Sequence, residues 1–230
     1  MSTTRPAKVI STELLENKDA KWINLVKITY QDPHGHPRTW ESVRRAGPRP
    51  RTSAVDSVQM IAVRPDAPAS SPPTPALLLE KQFRAPAGKV VVEFPAGLVD
   101  AGETPEQAAL RELREETGYV GEVVVTAAAA EDAKHGQQRP VLFSSPASSS
   151  SCTSLIHLRI DPERAENRDP KPQLEDGEFI ECFWVPLGDL YAECRRLEAE
   201  GFAIDGKVGA FAEGLEMSKL WQPQMQQART

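Results

Sequence analysis

The 230-residue chain is poor in the residues that build metal knuckles and disulfide scaffolds, with three cysteines and four histidines. Cys152, Cys182 and Cys194 are odd in number and lack metal-ligand spacing, which argues for reduced structural thiols in a reducing compartment. His34, His36, His135 and His157 form no ligand cluster by spacing either. A basic surplus is also missing: 27 lysines and arginines against 33 acidic residues give a net charge of −6, so no nucleic acid is expected on a basic surface. No apolar run is long enough to span a bilayer, and Met1-Ser-Thr-Thr-Arg-Pro-Ala-Lys8 has no secretory hydrophobic core, so no membrane partner is expected. The expected location is the cytoplasm, alone or together with the nucleus. With 40% hydrophobic residues the chain can bury one good core, as a soluble enzyme of small molecules would.

What the chain does have is a crowd of carboxylates on one well-punctuated helix. Thr104 can N-cap it, Pro105 suits the first helical position, Gln107 completes a capping box with Thr104, and Gly118 supplies the stop. At about 100° per residue, Ala109, Leu110, Leu113 and Thr117 share a mostly apolar arc, and Glu112, Glu115 and Glu116 a neighbouring one. Glu112 and Glu116 are an i,i+4 like-charge pair, which costs an isolated helix roughly 0.2–0.5 kcal/mol. Arg111 can pair with Glu115, which leaves Glu112 and Glu116 facing outward with free oxygens for a hard cation such as Mg²⁺. Glu103 can approach the same point. An acidic helix face by itself is more often simply solvated.

The spacing runs Gly97, five residues, Glu103, seven residues, then Arg111-Glu112-Leu113, one residue, Glu115-Glu116, one residue, Gly118. It resembles the signature of the Nudix hydrolases at every fixed letter, with Tyr119 standing where a small aliphatic residue is usual. Further segments resemble the eukaryotic ADP-ribose pyrophosphatases, also called ADP-sugar diphosphatases. They are Lys21-Trp22, Tyr30-Gln-Asp-Pro33, Arg38-Thr-Trp40-Glu41-Ser-Val-Arg44-Arg45, Lys81-Gln-Phe-Arg84, Glu93-Phe-Pro-Ala-Gly97 and Asp176-Gly-Glu178-Phe179. Together they cover most of residues 20–190.

That resemblance implies Mg²⁺-dependent, or Mn²⁺-dependent, cleavage of ADP-ribose or a related ADP-sugar to AMP and a sugar phosphate. It implies that Glu112, Glu115, Glu116 and the backbone carbonyl of Ala96 hold the metal, that Arg111 orients Glu115, and that Glu178 is the general base on a loop that Gly177 lets bend. It further implies that Trp22 and Trp40 sandwich the adenine, one from each subunit of a swapped homodimer, that Glu41 contacts the base, and that Arg45 and Arg84 hold diphosphate and ribose. Aromatic planes and planar guanidinium groups suit those tasks. Each has an ordinary alternative: a Trp in a strand is usually core, and a lone Arg or Glu usually meets water.

Along the chain, Trp22 to Val43 alternates around an Asp32-Pro33-His34-Gly35 turn, a hairpin signature. Val58–Val63, Ala76–Phe83, Lys89–Phe94, Val123–Thr126, Leu155–Ile160 and Phe179–Val185 read as strands, and Leu187–Glu200 and Val208–Leu220 as helices. Strands on both sides of a central helix predict an α/β/α sandwich with a mixed sheet, which the Nudix resemblance also implies. The expected division is an N-terminal strand and hairpin region over 1–56, used in dimerisation and the adenine site, and a hydrolase domain over 57–225. Between Thr126 and Ser154 the composition is that of a flexible loop, longer than in relatives. There Ser145-Pro146-Ala147 stands where relatives carry Ser-Pro-Gly in a loop that closes over substrate. Two other readings stay open: hydrolysis of another nucleoside diphosphate derivative, and a catalytically silent module that binds ADP-ribose.

Overall fold

The computed structural model describes residues 7–46, 55–65, 74–125 and 140–227, with side chains described as far as Trp221. The hairpin forms as the sequence predicts. β1 (Ile23–Gln31) and β2 (Pro37–Arg45) pair antiparallel, from Ile23 opposite Arg45 to Gln31 opposite Pro37, as a two-stranded sheet of their own. Asp32 sets the turn, because its carboxylate accepts from the amides of His34 at 3.0 Å and His36 at 2.9 Å. A short side-chain acceptor of this kind holds a turn in place of a backbone carbonyl.

The main sheet comprises β3 (Ser57–Arg64), β4 (Ala76–Arg84), β5 (Lys89–Glu93), β6 (Ala96–Leu98), β7 (Glu122–Val123), β8 (Leu142–Phe143), β9 (Cys152–Arg159), β10 (Ile180–Pro186) and β11 (Ala203–Ile204). Its order is β11-β5-β4-β3-β9-β7, with β10 on β4, β6 on β3 and β8 on β9. β3 runs parallel to β9 and β5 to β11, while β4 is antiparallel to β3, β5 and β10, so the sheet is mixed.

Helices cover both faces. α1 (Pro105–Thr117) packs Ala109 and Leu113 against Val58, Met60, Leu78 and Ile156; α2 (Leu190–Ala199) and α3 (Gly206–Gln227) pack Leu190, Leu197 and Val208 against Leu77, Leu79, Val92 and Phe94. Successive strand residues point to opposite faces, so Leu77 and Leu79 serve one layer and Leu78 the other. That two-sided burial is why β4 reads as an unbroken apolar run. Each such side chain contributes roughly 1.5–3 kcal/mol on burial, and the three layers are the expected sandwich.

Three expectations need correction. The strand foreseen over 123–126 ends at Val123, and Val124 and Val125 follow it as exposed residues; Thr126 lies outside the described residues. The helix foreseen from Leu187 begins as a 3₁₀ turn, Leu187–Asp189, before α2. Of the segment expected to be a loose loop over 126–154, residues 126–139 lie outside the description, but the remainder is built into the fold. β8 pairs with β9, and Cys152 is buried with its N–H donating to the Asp56 carboxylate at 2.9 Å. Among the described residues no disulfide joins the cysteines, and no helix is long and apolar enough to cross a membrane.

Candidate active site

The start of α1 is fixed by reciprocal bonds: the Gln107 N–H donates to Thr104 Oγ1 at 3.2 Å, and the Thr104 N–H to Gln107 Oε1 at 2.9 Å. Gly118 ends it in the left-handed conformation, φ 75°. The buried arc contains Ala108, Ala109, Leu113, Glu116 and Thr117. It thus takes in a glutamate and omits Leu110, which is exposed. At 100° per residue Glu116 falls in the middle of that arc and Leu110 beyond its far edge, so the helix aims an acid at the sheet.

Below it opens a cleft of about 410 Å³ lined by Arg45, Arg84, Ala96, Gly97, Arg111, Glu112, Glu115, Glu116 and Glu178, together with Ser57, Leu98, Asp100, Gln173 and Glu175. Arg111 organises one wall. Its Nε donates to Glu103 at 2.8 Å, its Nη2 to Glu103 and to the Leu98 carbonyl at 3.0 Å each, and its Nη1 to Glu115 at 3.0 Å. The same Nη1 lies 2.9 Å from Glu112 Oε1. The foreseen Arg111–Glu115 pair is therefore present, but Glu112 shares the same cation instead of facing outward free. Glu116 is 6% exposed and accepts the Ala96 N–H at 3.0 Å. The fold thus ties β6 directly to α1 through a carboxylate.

The negative charge is under-compensated. Burial, then the neighbouring charges of Glu112 and Glu178, push the Glu116 carboxyl above its ordinary range, and burial does the same to Glu112. Glu80 on β4 carries the largest excess. It is 0% exposed, both of its oxygens lack a hydrogen-bond partner, and burial with the charges of Glu116 and Glu93 drives its pKa up. It stands opposite Glu93 on β5 and Cys182 on β10. Burial, with Glu80 and Glu116 nearby, pushes the Cys182 thiol up to about 12. Arg84, on the same face as Glu80, gives its Nε to Glu93 at 2.7 Å.

An all-oxygen set of this charge suits a hard divalent cation, and the raised carboxyl groups are what a site short of positive charge produces. Among the described residues no three such side chains converge closely enough to chelate an ion as they stand. Glu112 and Glu115 are held by Arg111. Glu80 and Glu93 were given no role in the sequence reading. The available signal was a charged residue ending the apolar run Leu77-Leu78-Leu79.

The fold brings Arg45, Arg84, Ala96, Arg111, Glu112, Glu115, Glu116 and Glu178 into one cleft, but not Trp22, Trp40 or Glu41. Glu178 is half-buried and accepts the Glu175 N–H at 3.0 Å, with Gly177 at φ 90° making the bend. Trp22 is 77% exposed at the base of the hairpin, where its carbonyl accepts the Ala46 N–H at 2.8 Å. Trp40 is 51% exposed and lies opposite Ile28. Glu41 is exposed.

A NUDIX domain model matches residues 62–204. The chain is 42% identical over 216 residues to an uncharacterised Nudix hydrolase of Schizosaccharomyces pombe, covering 94% of this chain and 96% of that one. It is 37% identical over 222 residues to an ADP-ribose pyrophosphatase of Saccharomyces cerevisiae, covering 94% and 86%. It is also 37% identical over 209 residues to an ADP-sugar pyrophosphatase of Mus musculus, covering 90% and 87%.

Proposed function

From the premise that the chain belongs to the Nudix family, we propose that it hydrolyses the pyrophosphate bond of ADP-ribose with Mg²⁺, water adding to give AMP and ribose 5-phosphate. The observation that carries the reading is the single cleft in which the α1 glutamates meet Arg45 and Arg84. Similarity to an ADP-ribose pyrophosphatase and an ADP-sugar pyrophosphatase supports the substrate class.

Glu112, Glu115, Glu116 and the Ala96 carbonyl are the residues that would hold the cation. When bound, a divalent ion supplies charge neutralisation at the pyrophosphate and a more acidic water. The protein's own groups do the rest. Arg111 keeps Glu112 and Glu115 in place through Nη1. Arg84, braced by Glu93, and Arg45 present guanidinium groups to phosphate oxygens, a geometry suited to paired N–H donors. Glu178, which lines the same cleft as the acidic triplet, takes the proton of the attacking water.

Trp22 and Trp40 form the base site from two copies of the chain. Trp22 bonds to Ala46 at one end of the hairpin, and Trp40 lies six residues from Ala46 along β2, roughly 20 Å at strand rise. That backbone separation along one hairpin supports the reading in which the two rings at one base come from two copies of a homodimer.

The experiment is AMP release from ADP-ribose by purified protein, with and without Mg²⁺, beside ADP-glucose and GDP-mannose. Metal-dependent release that favours ADP-ribose supports the proposal. Preference for another nucleotide moves the substrate within the family, and binding without release would make the protein a silent ADP-ribose module.

A further inference from the structure

The turn at 145–149 docks onto the hairpin. The Trp40 indole Nε1–H donates to the Ala147 carbonyl at 2.7 Å. Two residues on, the Ser42 hydroxyl donates to the Ser148 carbonyl at 3.1 Å, and the Val43 N–H donates to the same oxygen at 2.7 Å. Val43 and Ser149 form a parallel bridge. The turn is closed on itself by the amides of Ser148 and Ser149, which donate to the Ser145 carbonyl at 3.0 and 2.8 Å. Ser42 is 7% exposed under this contact, whereas the Trp40 ring is half open to solvent.

We propose that the 145–149 turn is a positioning element for Trp40, fixing the plane of its indole so that the exposed ring face is presented ready for a nucleobase. A Trp side chain on an edge strand has two free torsions, and Trp40 has little packing to select among rotamers. One bond from Nε1 to a carbonyl that is itself anchored to the same strand, at Ser42 and Val43, removes that freedom. An aromatic ring fixed before binding stacks at a lower entropic cost, which shows in affinity and not in the chemical step. The position of Ala147 matters only through its carbonyl, so loss of the glycine usual there does not disable the contact. The inference rests on the reading of Trp40 as a base-stacking residue, and it adds which element sets the ring.

The test uses the full chain in three forms: Trp40→Ala, replacement of all five residues 145–149 by glycine, and the two combined. Exchange of the Trp40 indole N–H, followed by NMR and assigned by Trp40→Phe, is expected to be slowed in the parent and at least about tenfold faster in the glycine variant. KM for ADP-ribose is expected to rise roughly tenfold or more in Trp40→Ala, from the loss of base stacking. In the glycine variant it should rise about threefold to tenfold with kcat nearly unchanged, and the glycine turn should add nothing to the rise already caused by Trp40→Ala when the two are combined. Equal exchange in parent and glycine variant, or the same KM increase from the glycine turn with and without Trp40, overturns the proposal. Slowed exchange that the glycine turn abolishes, with KM unmoved in Trp40→Ala, would keep the turn–indole contact and discard base stacking at Trp40.

Discussion

Gly97 and Glu112 lie so close that a Cβ at residue 97 would sit 1.9 Å from the Glu112 carboxyl carbon. The backbone of β6, paired through Gly97 to Val58 on β3, is therefore the wall against which the Glu112 carboxylate rests. Gly97→Ala must displace Glu112 or open the β3–β6 pairing. Overpacking of this kind costs about 1–3 kcal/mol, and displacement of Glu112 is expected to lower turnover roughly a hundredfold or more. Thermal unfolding and kcat measure the two effects. Near-parent values of both would show that Glu112 relocates freely and is not held in its working position by the strand.

Arg111 is bonded to Glu103, Glu115 and the Leu98 carbonyl and contacts Glu112. Arg111→Ala leaves those carboxylates to repel one another, and is expected to destabilise the metal-free protein by roughly 1–3 kcal/mol. Added Mg²⁺ should recover part of the loss, because a cation replaces the missing charge. Urea midpoints of parent and variant, each with EDTA and with Mg²⁺, check this. An identical loss in both conditions would place Arg111 outside the electrostatics of the site.

Glu116→Gln separates chemistry from folding. An amide oxygen can still accept the Ala96 N–H, and it removes the charge that burial, Glu112 and Glu178 disfavour. The variant is expected to be as stable as the parent, or more stable, in EDTA, to lose the rise in Tm that Mg²⁺ gives the parent, and to fall at least roughly a thousandfold in kcat. Retained turnover would remove Glu116 from the metal site.

Stability should fall with rising pH in the absence of metal. Glu80 and Glu116 have folded-state pKa values above the ordinary 4.5. Above pH 4.5 the folded state therefore binds more protons than the unfolded one. The contribution of these two groups is complete below that value and is lost as pH climbs through their raised range. Asp32 and Glu103, held below their ordinary values by hydrogen bonds, act oppositely, and only at lower pH. Tm in EDTA is expected to decline between about pH 5.5 and about pH 8.5, less steeply in Glu80→Gln, and the gain from Mg²⁺ is expected to grow over that interval. A flat profile in EDTA would mean that these carboxyl groups are not proton-binding sites of the fold.

The sequence by itself determined the capped helix, the Gly97-to-Gly118 spacing, the hairpin and the family, because capping, turn chemistry and side-chain periodicity act over a few residues. It also singled out the arginines that line the cleft. Tertiary structure decided the rest. Glu116 is buried and Leu110 exposed because the sheet, not the helix, chooses which arc is covered. Glu112 is held by Arg111 and pressed on Gly97 because β6 crosses α1 at that point. Glu80 and Glu93 come together behind the cleft-lining Arg84 through strand register, which places them opposite each other from separate strands. The 145–149 turn, legible in the sequence only as part of a serine-rich loop, acquires its place against the hairpin only when β2, about a hundred residues earlier in the chain, offers it backbone and indole donors. Local chemistry writes these elements; long-range pairing selects which of their side chains meet.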